Sequence, residues 1–172
     1  IRGFKSLDDL HMANAACFSV LAGANGSGKS NFFDALDFVG QFIRNGVEAA
    51  VNQQGGYQHF RPAKHLYPSA APKFRFELVC ELEGKQYHYI LILFNLDSTA
   101  GIEEHLLIDG KISLLRKWRS KPIIKGQEQS LSENHSALLL YDNLLLREFL
   151  TNLRIYRIQP LRAAQPNRGA ED

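Results

Sequence analysis

Along one stretch, Phe74, Phe76, Leu78, Cys80 and Leu82 alternate with Arg75, Glu77, Val79, Glu81 and Glu83. A period of two puts the first set on one face and the second on the other, so the pattern predicts a half-buried strand. Gly84-Lys85 reads as the tight turn of a hairpin whose return strand runs over 86–95. A second hairpin follows, with strands over 102–108 and 112–118 joined at Asp109-Gly110. Four strands connected in this way make an antiparallel meander over 73–118.

Upstream the period is 3.6. Phe32, Leu36, Val39 and Ile43 predict a helix over 31–45 that stops at Gly46, and a short second helix over 47–53 is closed by Gly55 and Gly56. Short strands are expected over 1–5 and 17–22, the latter a compact apolar run of Cys17, Phe18, Val20 and Leu21 that reads as buried. The segment 119–134 is mostly polar, carries Pro122 and Gly126, and reads as a connection. Helical character resumes at Ser136, with Leu146, Phe149, Leu150 and Leu153 marking a buried face; a last strand over 154–159 precedes a polar tail. The chain divides into a strand-loop-helix part (1–56), the meander (73–118) and a helix-strand part (136–160).

Composition adds bounds rather than an activity. With 172 residues, 45% hydrophobic and 22% charged, and a mean hydropathy of -0.23, the chain has the make-up of a folded domain. A net charge of +2 is too small to argue for nucleic acid from the whole-chain balance. Cys17 and Cys80 stand far apart without a C-x-x-C, so neither a disulfide framework nor a zinc site is expected, and a reducing cytoplasm fits. The longest apolar run, Tyr89 to Phe94, is far short of a membrane span. The chain opens on Ile1 instead of Met, as a trimmed start would.

The chemistry lies between the apolar run and the first helix. Gly23-Ala24-Asn25-Gly26-Ser27-Gly28-Lys29-Ser30 matches G-x-x-x-x-G-K-[ST] at every fixed position. A phosphate chain needs several backbone N–H groups converging on it, which requires left-handed backbone and no side chains in the way; Gly26 and Gly28 supply both. The helix that follows offers its free N–H groups and dipole, so Asn25, Gly26, Ser27, Gly28, Lys29, Ser30 and Asn31 are the expected nucleotide-binding residues. Lys29 is the catalytic candidate, bridging β- and γ-phosphates, and the Ser30 hydroxyl is the candidate magnesium ligand. A nucleoside triphosphate and Mg2+ are the expected ligands of such a loop. No N-K-x-D occurs, and Asp37-Phe38-Val39-Gly40, which matches D-x-x-G, falls inside the expected helix. A β-meander follows the loop where a small nucleoside kinase would carry helical lids.

Ile1-Arg2-Gly3-Phe4-Lys5-Ser6, the apolar strand, GANGSGKSN and the Phe-rich helix together resemble the start of the ATPase head of the SMC, RecF and ABC group. The resemblance is closer to the bacterial predicted AAA-family ATPases related to overcoming-lysogenization-defect proteins, several of which act in phage defence. Glu104 to Lys111 and Ile155 to Pro160 also look like that branch. It implies an α/β P-loop fold of the ABC/SMC type, a mixed sheet with an antiparallel meander and flanking helices, and residues 1–172 as the N-terminal lobe of an incomplete head. Lys5 and Ser6 would lie beside the nucleotide, Arg61 near the base, and Gln159 at the position of a metal-sensing glutamine. A polar residue before a proline turn is the better reading of Gln159. The implied function is ATP binding and, in the complete head, magnesium-dependent hydrolysis that drives dimerisation with a second head, coupled to DNA or an effector protein in phage defence or DNA repair.

The family's Asp-Glu strand, Ser-Gly-rich signature helix and late histidine have no convincing match here, so the segment alone is expected to be inactive or very slow. Leu106-Leu107-Ile108-Asp109 mimics the acidic strand, but Gly110 follows it and a hairpin turn is the better reading. Two other classes stay open: a self-contained P-loop phosphotransferase using an acid such as Asp109, and a non-catalytic scaffold that holds nucleotide. Lys111, Arg116, Lys117, Arg119, Lys121 and Lys125 crowd around Trp118 with no acidic residue among them. This basic stretch could contact DNA phosphates or could be a hairpin edge protected by lysines.

Overall fold

The computed structural model describes residues 1–13, 15, 19–62 and 73–153. Its centre is one sheet of six strands in sequence order, every neighbouring pair antiparallel: β1 (Lys73–Leu82), β2 (Lys85–Phe94), β3 (Gly101–Ile108), β4 (Lys111–Arg116), β5 (Ile123–Ile124) and β6 (Gln127–Glu128). Helices α1 (Lys29–Asn45), α2 (Val47–Gln53) and α3 (Leu145–Asn152) complete the α/β arrangement.

The hairpins follow from turn chemistry. Glu83-Gly84, Asp109-Gly110 and Lys125-Gly126 each place two successive residues at positive φ, the two-residue turn whose twist matches paired strands. The first turn sits one residue earlier than the sequence pattern suggests. The third was not expected at all: the segment read as a connection folds back as β5 and β6 and extends the sheet. Its apolar signal is only Ile123-Ile124, too short for a period to show.

The period-two pattern of β1 is realised, with Phe74 and Phe76 buried and Val79 69% exposed on the outer face. The inner face carries Tyr87, Tyr89, Leu91 and Leu93 of β2 with Ile102 and Leu106 of β3, in one cluster with Ala35, Phe38, Val39, Phe42 and Ile43 of α1. Phe38 anchors the helix. Its ring meets Phe74 edge-on at 5.3 Å and lies 5.0 Å from Phe60 and 5.7 Å from Phe4. Burying such a ring stabilises by about 2–3 kcal/mol. Gly46, at φ 87, ends α1 and returns its N–H to Phe42. At the far end, Leu146 and Leu150 of α3 are buried, whereas Phe149, expected on the same face, is 40% exposed.

Two expectations need correction. Residues 1–5 form no continuous strand: Arg2 bridges to Arg75 on β1, and Phe4 pairs with Leu7 across a tight turn of Lys5-Ser6. Nor do the described residues hold a mixed sheet. Ser19 to Ala22 make no strand, and Val20 and Leu21 are 74% and 39% exposed. An apolar run becomes a buried parallel strand only when neighbours take up its backbone groups and cover both faces, and among the described residues no strand lies beside it. Cys17, Phe18 and the expected strand over 154–159 lie outside the described residues.

Candidate functional site

The loop between Gly23 and Gly28 is exposed or nearly so, and it enters α1 directly. Gly26 and Gly28 have φ of 82 and 91, the left-handed region the motif requires. A Cβ on Gly26 would meet nothing within 4 Å, so the space over the loop is open. Under the loop the fit is close, since a Cβ on Gly28 would lie 3.2 Å from Leu7 and 3.5 Å from the Ser6 hydroxyl.

Gly28 caps α1 without any side-chain hydrogen bond, and the helical ladder starts with Phe32 N–H donating to the Gly28 carbonyl at 2.9 Å. The amides of Lys29, Ser30 and Asn31 therefore lack intrahelical acceptors. Within the loop the Ser27 N–H donates to the Ala24 carbonyl at 3.2 Å, and the amides of Gly26, Gly28, Lys29, Ser30 and Asn31 donate to no described residue. Free amides at a helix N-terminus, reached through left-handed glycines, are what an anion can bind.

Lys29, the first residue of α1, curls back over the loop. Its ammonium donates to the Gly23 and Ala24 carbonyls at 2.7 Å each and to the Ser27 hydroxyl at 3.1 Å. All three N–H bonds of the ammonium are used, so the charge is held at the loop mouth by oxygens that a phosphate can replace. The Ser30 hydroxyl is exposed and makes no hydrogen bond to a described residue.

The Phe4–Leu7 turn is fastened beside the loop. The Asn31 side-chain amide donates to the Ser6 hydroxyl at 2.7 Å, and the Lys5 ammonium pairs with Asp34 at 2.6 Å. Ser6 thus stands next to Gly28, whereas the Lys5 charge is engaged by a carboxylate. Asp34 was missed in the sequence. Its signal is its position: Asn31, Asp34 and Phe38 share one face of α1, and a carboxylate in the core-facing stripe demands a cationic partner. The Lys5 N–H also donates to the Phe60 carbonyl at 2.8 Å, which brings the exposed Arg61 alongside the same turn.

Asp109 serves the β3–β4 turn, as the hairpin reading expects. Its carboxylate accepts the Gln86 N–H at 2.9 Å, its own N–H donates to the Gln86 carbonyl, and with a φ of 50 it forms the β3–β4 turn. Asp37-Phe38-Val39-Gly40 lies inside α1. Gln159 lies outside the described residues. Among the described residues no cluster of three His, Cys, Asp or Glu could hold a metal ion, and no helix is long and apolar enough to cross a membrane.

A second polar constellation, unseen in the sequence, sits in the core. Glu104 of β3 is fully buried and accepts from Tyr89 Oη at 2.8 Å, Ser136 Oγ at 2.6 Å, Ala137 N–H at 2.7 Å and Arg116 at 3.3 Å. Arg116 also donates to the carbonyls of Glu133 and His135. Burial, with the neighbouring Glu104, pushes the Tyr89 hydroxyl well above its usual range. The network ties β2, β3 and β4 to the segment leading into α3.

The family model described as "AAA domain, putative AbiEii toxin, Type IV TA system" matches residues 18–168. The chain belongs to this AAA family. It is thus a P-loop domain of an ATPase family, and the loop from Gly23 to Asn31 lies inside the matched region. No curated protein and no solved structure matches the chain.

Proposed function

We propose that this AAA-family domain binds ATP with magnesium through the Gly23–Asn31 loop, as one lobe of a head that hydrolyses ATP when completed by a partner. The observation that carries the reading is the state of Lys29: its ammonium is clamped by loop oxygens in front of amides that donate to no described residue. That is a cradle for anionic oxygens at the start of a helix.

The residues divide the work. Gly26, Ser27, Gly28 and the first amides of α1 hold the phosphates, and Asn25 shapes the loop. Lys29 moves from the Gly23 and Ala24 carbonyls to phosphate oxygens, where it opposes the charge of the transferred group. Ser30 would hold magnesium, which would supply further neutralisation of phosphate charge. Ser6 and Asn31 brace the loop, and Lys5 acts through Asp34 to position the turn rather than by touching nucleotide. A group to orient the attacking water comes from outside the described residues.

The Phe4-Lys5-Ser6 turn beside the loop and the meander after it support a head of the ABC and SMC kind, with a second copy as partner and a nucleic-acid or protein effector. The family's description, with its AbiEii and toxin-antitoxin terms, supports a setting in defence by abortive infection. With Asp109 committed to the β3–β4 turn, the self-contained phosphotransferase loses its candidate acid.

The test is calorimetric titration of ATP with and without magnesium. Wild type is expected to bind more tightly with the metal, and Ser30→Ala to lose that difference while keeping its metal-free affinity. An unchanged magnesium dependence in Ser30→Ala would contradict the assignment.

A further inference from the structure

One end of the sheet carries a row of side chains that the nucleotide site does not use. Lys73, Phe94 and Gly101 are register partners across β1, β2 and β3, and the chain leaving β4 adds Trp118 and Arg119 at the same end. The Lys73 ammonium stands 5.3 Å from the Phe94 ring, Phe94 meets Trp118 edge-on at 5.2 Å, and the Arg119 guanidinium lies 4.4 Å over the indole. Cation, ring, ring and cation follow one another across the strands.

Local structure is shaped to keep this row. A Cβ on Gly101 would lie 2.3 Å from the Phe94 ring, so the ring can cross β3 to reach Trp118 only because residue 101 has no side chain. The turn closed by Ser120 N–H to the Lys117 carbonyl, at 3.1 Å, holds Arg119 at a φ of 59. A non-glycine residue adopts that conformation at a cost. Lys117 and Lys121 flank the turn, and both are exposed. Glu133 is the one carboxylate among the residues that line the small cavity beneath Trp118 and Arg119.

Edge protection accounts for Lys73, which opens the edge strand β1, but not for the charges at the far end of the row. Lysines guard exposed strand edges, but the free edge on this side is β6, while Lys117, Arg119 and Lys121 stand beyond the end of β4, inside the sheet order. The basic stretch is also not one surface. Lys111 is at the opposite end of β4, and Lys125 lies over Tyr141 in the β5–β6 turn.

We propose that Lys73, Trp118 and Arg119, with Lys117 and Lys121, bind single-stranded nucleic acid over the buried Phe94, whose ring, only 8% exposed, props Trp118 from below. The chemistry is a half-exposed indole, at 37% of its free surface, with a guanidinium stacked on it and cations on either side. Bases stack on aromatic rings and on arginine planes, and the backbone follows the positive charge. A row crossing three interstrand spacings, roughly 14 Å, passes several phosphates of an extended strand. A duplex hides its base faces and can use only the charges. This inference does not rest on nucleotide binding at the loop and is tested without ATP.

Trp118 is the chain's single tryptophan, so its fluorescence reports this site alone. A fluorescein-labelled oligothymidylate is titrated into the chain by anisotropy at several salt concentrations, with a duplex for comparison. Wild type is expected to prefer the single strand, to change its tryptophan emission on saturation, and to lose affinity with salt at a slope of about -0.7 per phosphate contact. Arg119→Glu and Lys121→Glu, both at exposed positions, should each flatten that slope and weaken binding about tenfold. Trp118→Ala should weaken binding by about tenfold and leave the slope unchanged. Lys111→Glu should bind as wild type does. Absence of binding, unmoved Trp118 emission, a wild-type slope in both charge reversals, or an equal loss in Lys111→Glu would each overturn the proposal.

Discussion

The Lys5 ammonium and the Asp34 carboxylate meet at 2.6 Å with side chains only 24% and 10% exposed, joining the Phe4–Leu7 turn to the helix that opens at the glycine loop. A pair this shielded is worth more than a surface ion pair. Lys5→Met and Asp34→Asn are each expected to cost about 1–2 kcal/mol in urea denaturation, between the exposed and buried extremes. The double variant should cost less than the sum of the two single changes, because both remove the bond they share. Simple additivity of the two losses would show that the pair is not coupled.

The Glu104 network should be far more costly to break. Removing a carboxylate that serves four donors, one of them the nearly buried Arg116, leaves polar groups unpaired inside the sheet. Glu104→Ala is expected to lose about 3–5 kcal/mol, a large share of a domain's stability. The midpoint of urea unfolding checks this. A loss below about 1 kcal/mol would mean that the network is incidental.

These two elements show what the sequence pattern could and could not display. The alternation around Phe74 to Leu82 was readable because β1 has one wet face, and α1 because Phe38, Phe42 and Ile43 return at helical spacing to one core. The phosphate loop was readable because backbone geometry there demands glycine. Glu104, by contrast, sits in Glu103-Glu104-His105 and looks like any solvated run; only the sheet's neighbours reveal that it is buried. Likewise Ser19 to Ala22 has a strand's composition, but pairing is a property of the partner, not of the segment. The row from Lys73 to Arg119 joins residues far apart in sequence, with nothing but Gly101 to hint that a ring must pass.

Glu77 offers a pH signature. Its carboxyl is held below the usual value of 4.5, first by hydrogen bonding to Arg75 and then to His88. A depressed carboxylate stabilises the fold above its unfolded pKa, and that contribution disappears as pH falls through the folded value. Wild type should therefore exceed Glu77→Gln in stability at neutral pH by under about 1 kcal/mol, since the group is exposed. The gap should close on acidification below about 4.5. A gap that stays constant from neutral pH to acid would contradict the assignment.

The central claim is that the Lys29 ammonium, now held by the Gly23 and Ala24 carbonyls, is there to receive phosphate. Calorimetric titration of MgATP into wild type and Lys29→Ala, with thermal melting of both nucleotide-free chains, tests it most directly. Loss of a charge-assisted bond should lower affinity about 10- to 100-fold, with nucleotide-free stability unchanged within about 0.5 kcal/mol because the loop is exposed. Equal affinity in the two chains, or a Lys29→Ala chain that fails to fold without nucleotide, would contradict it.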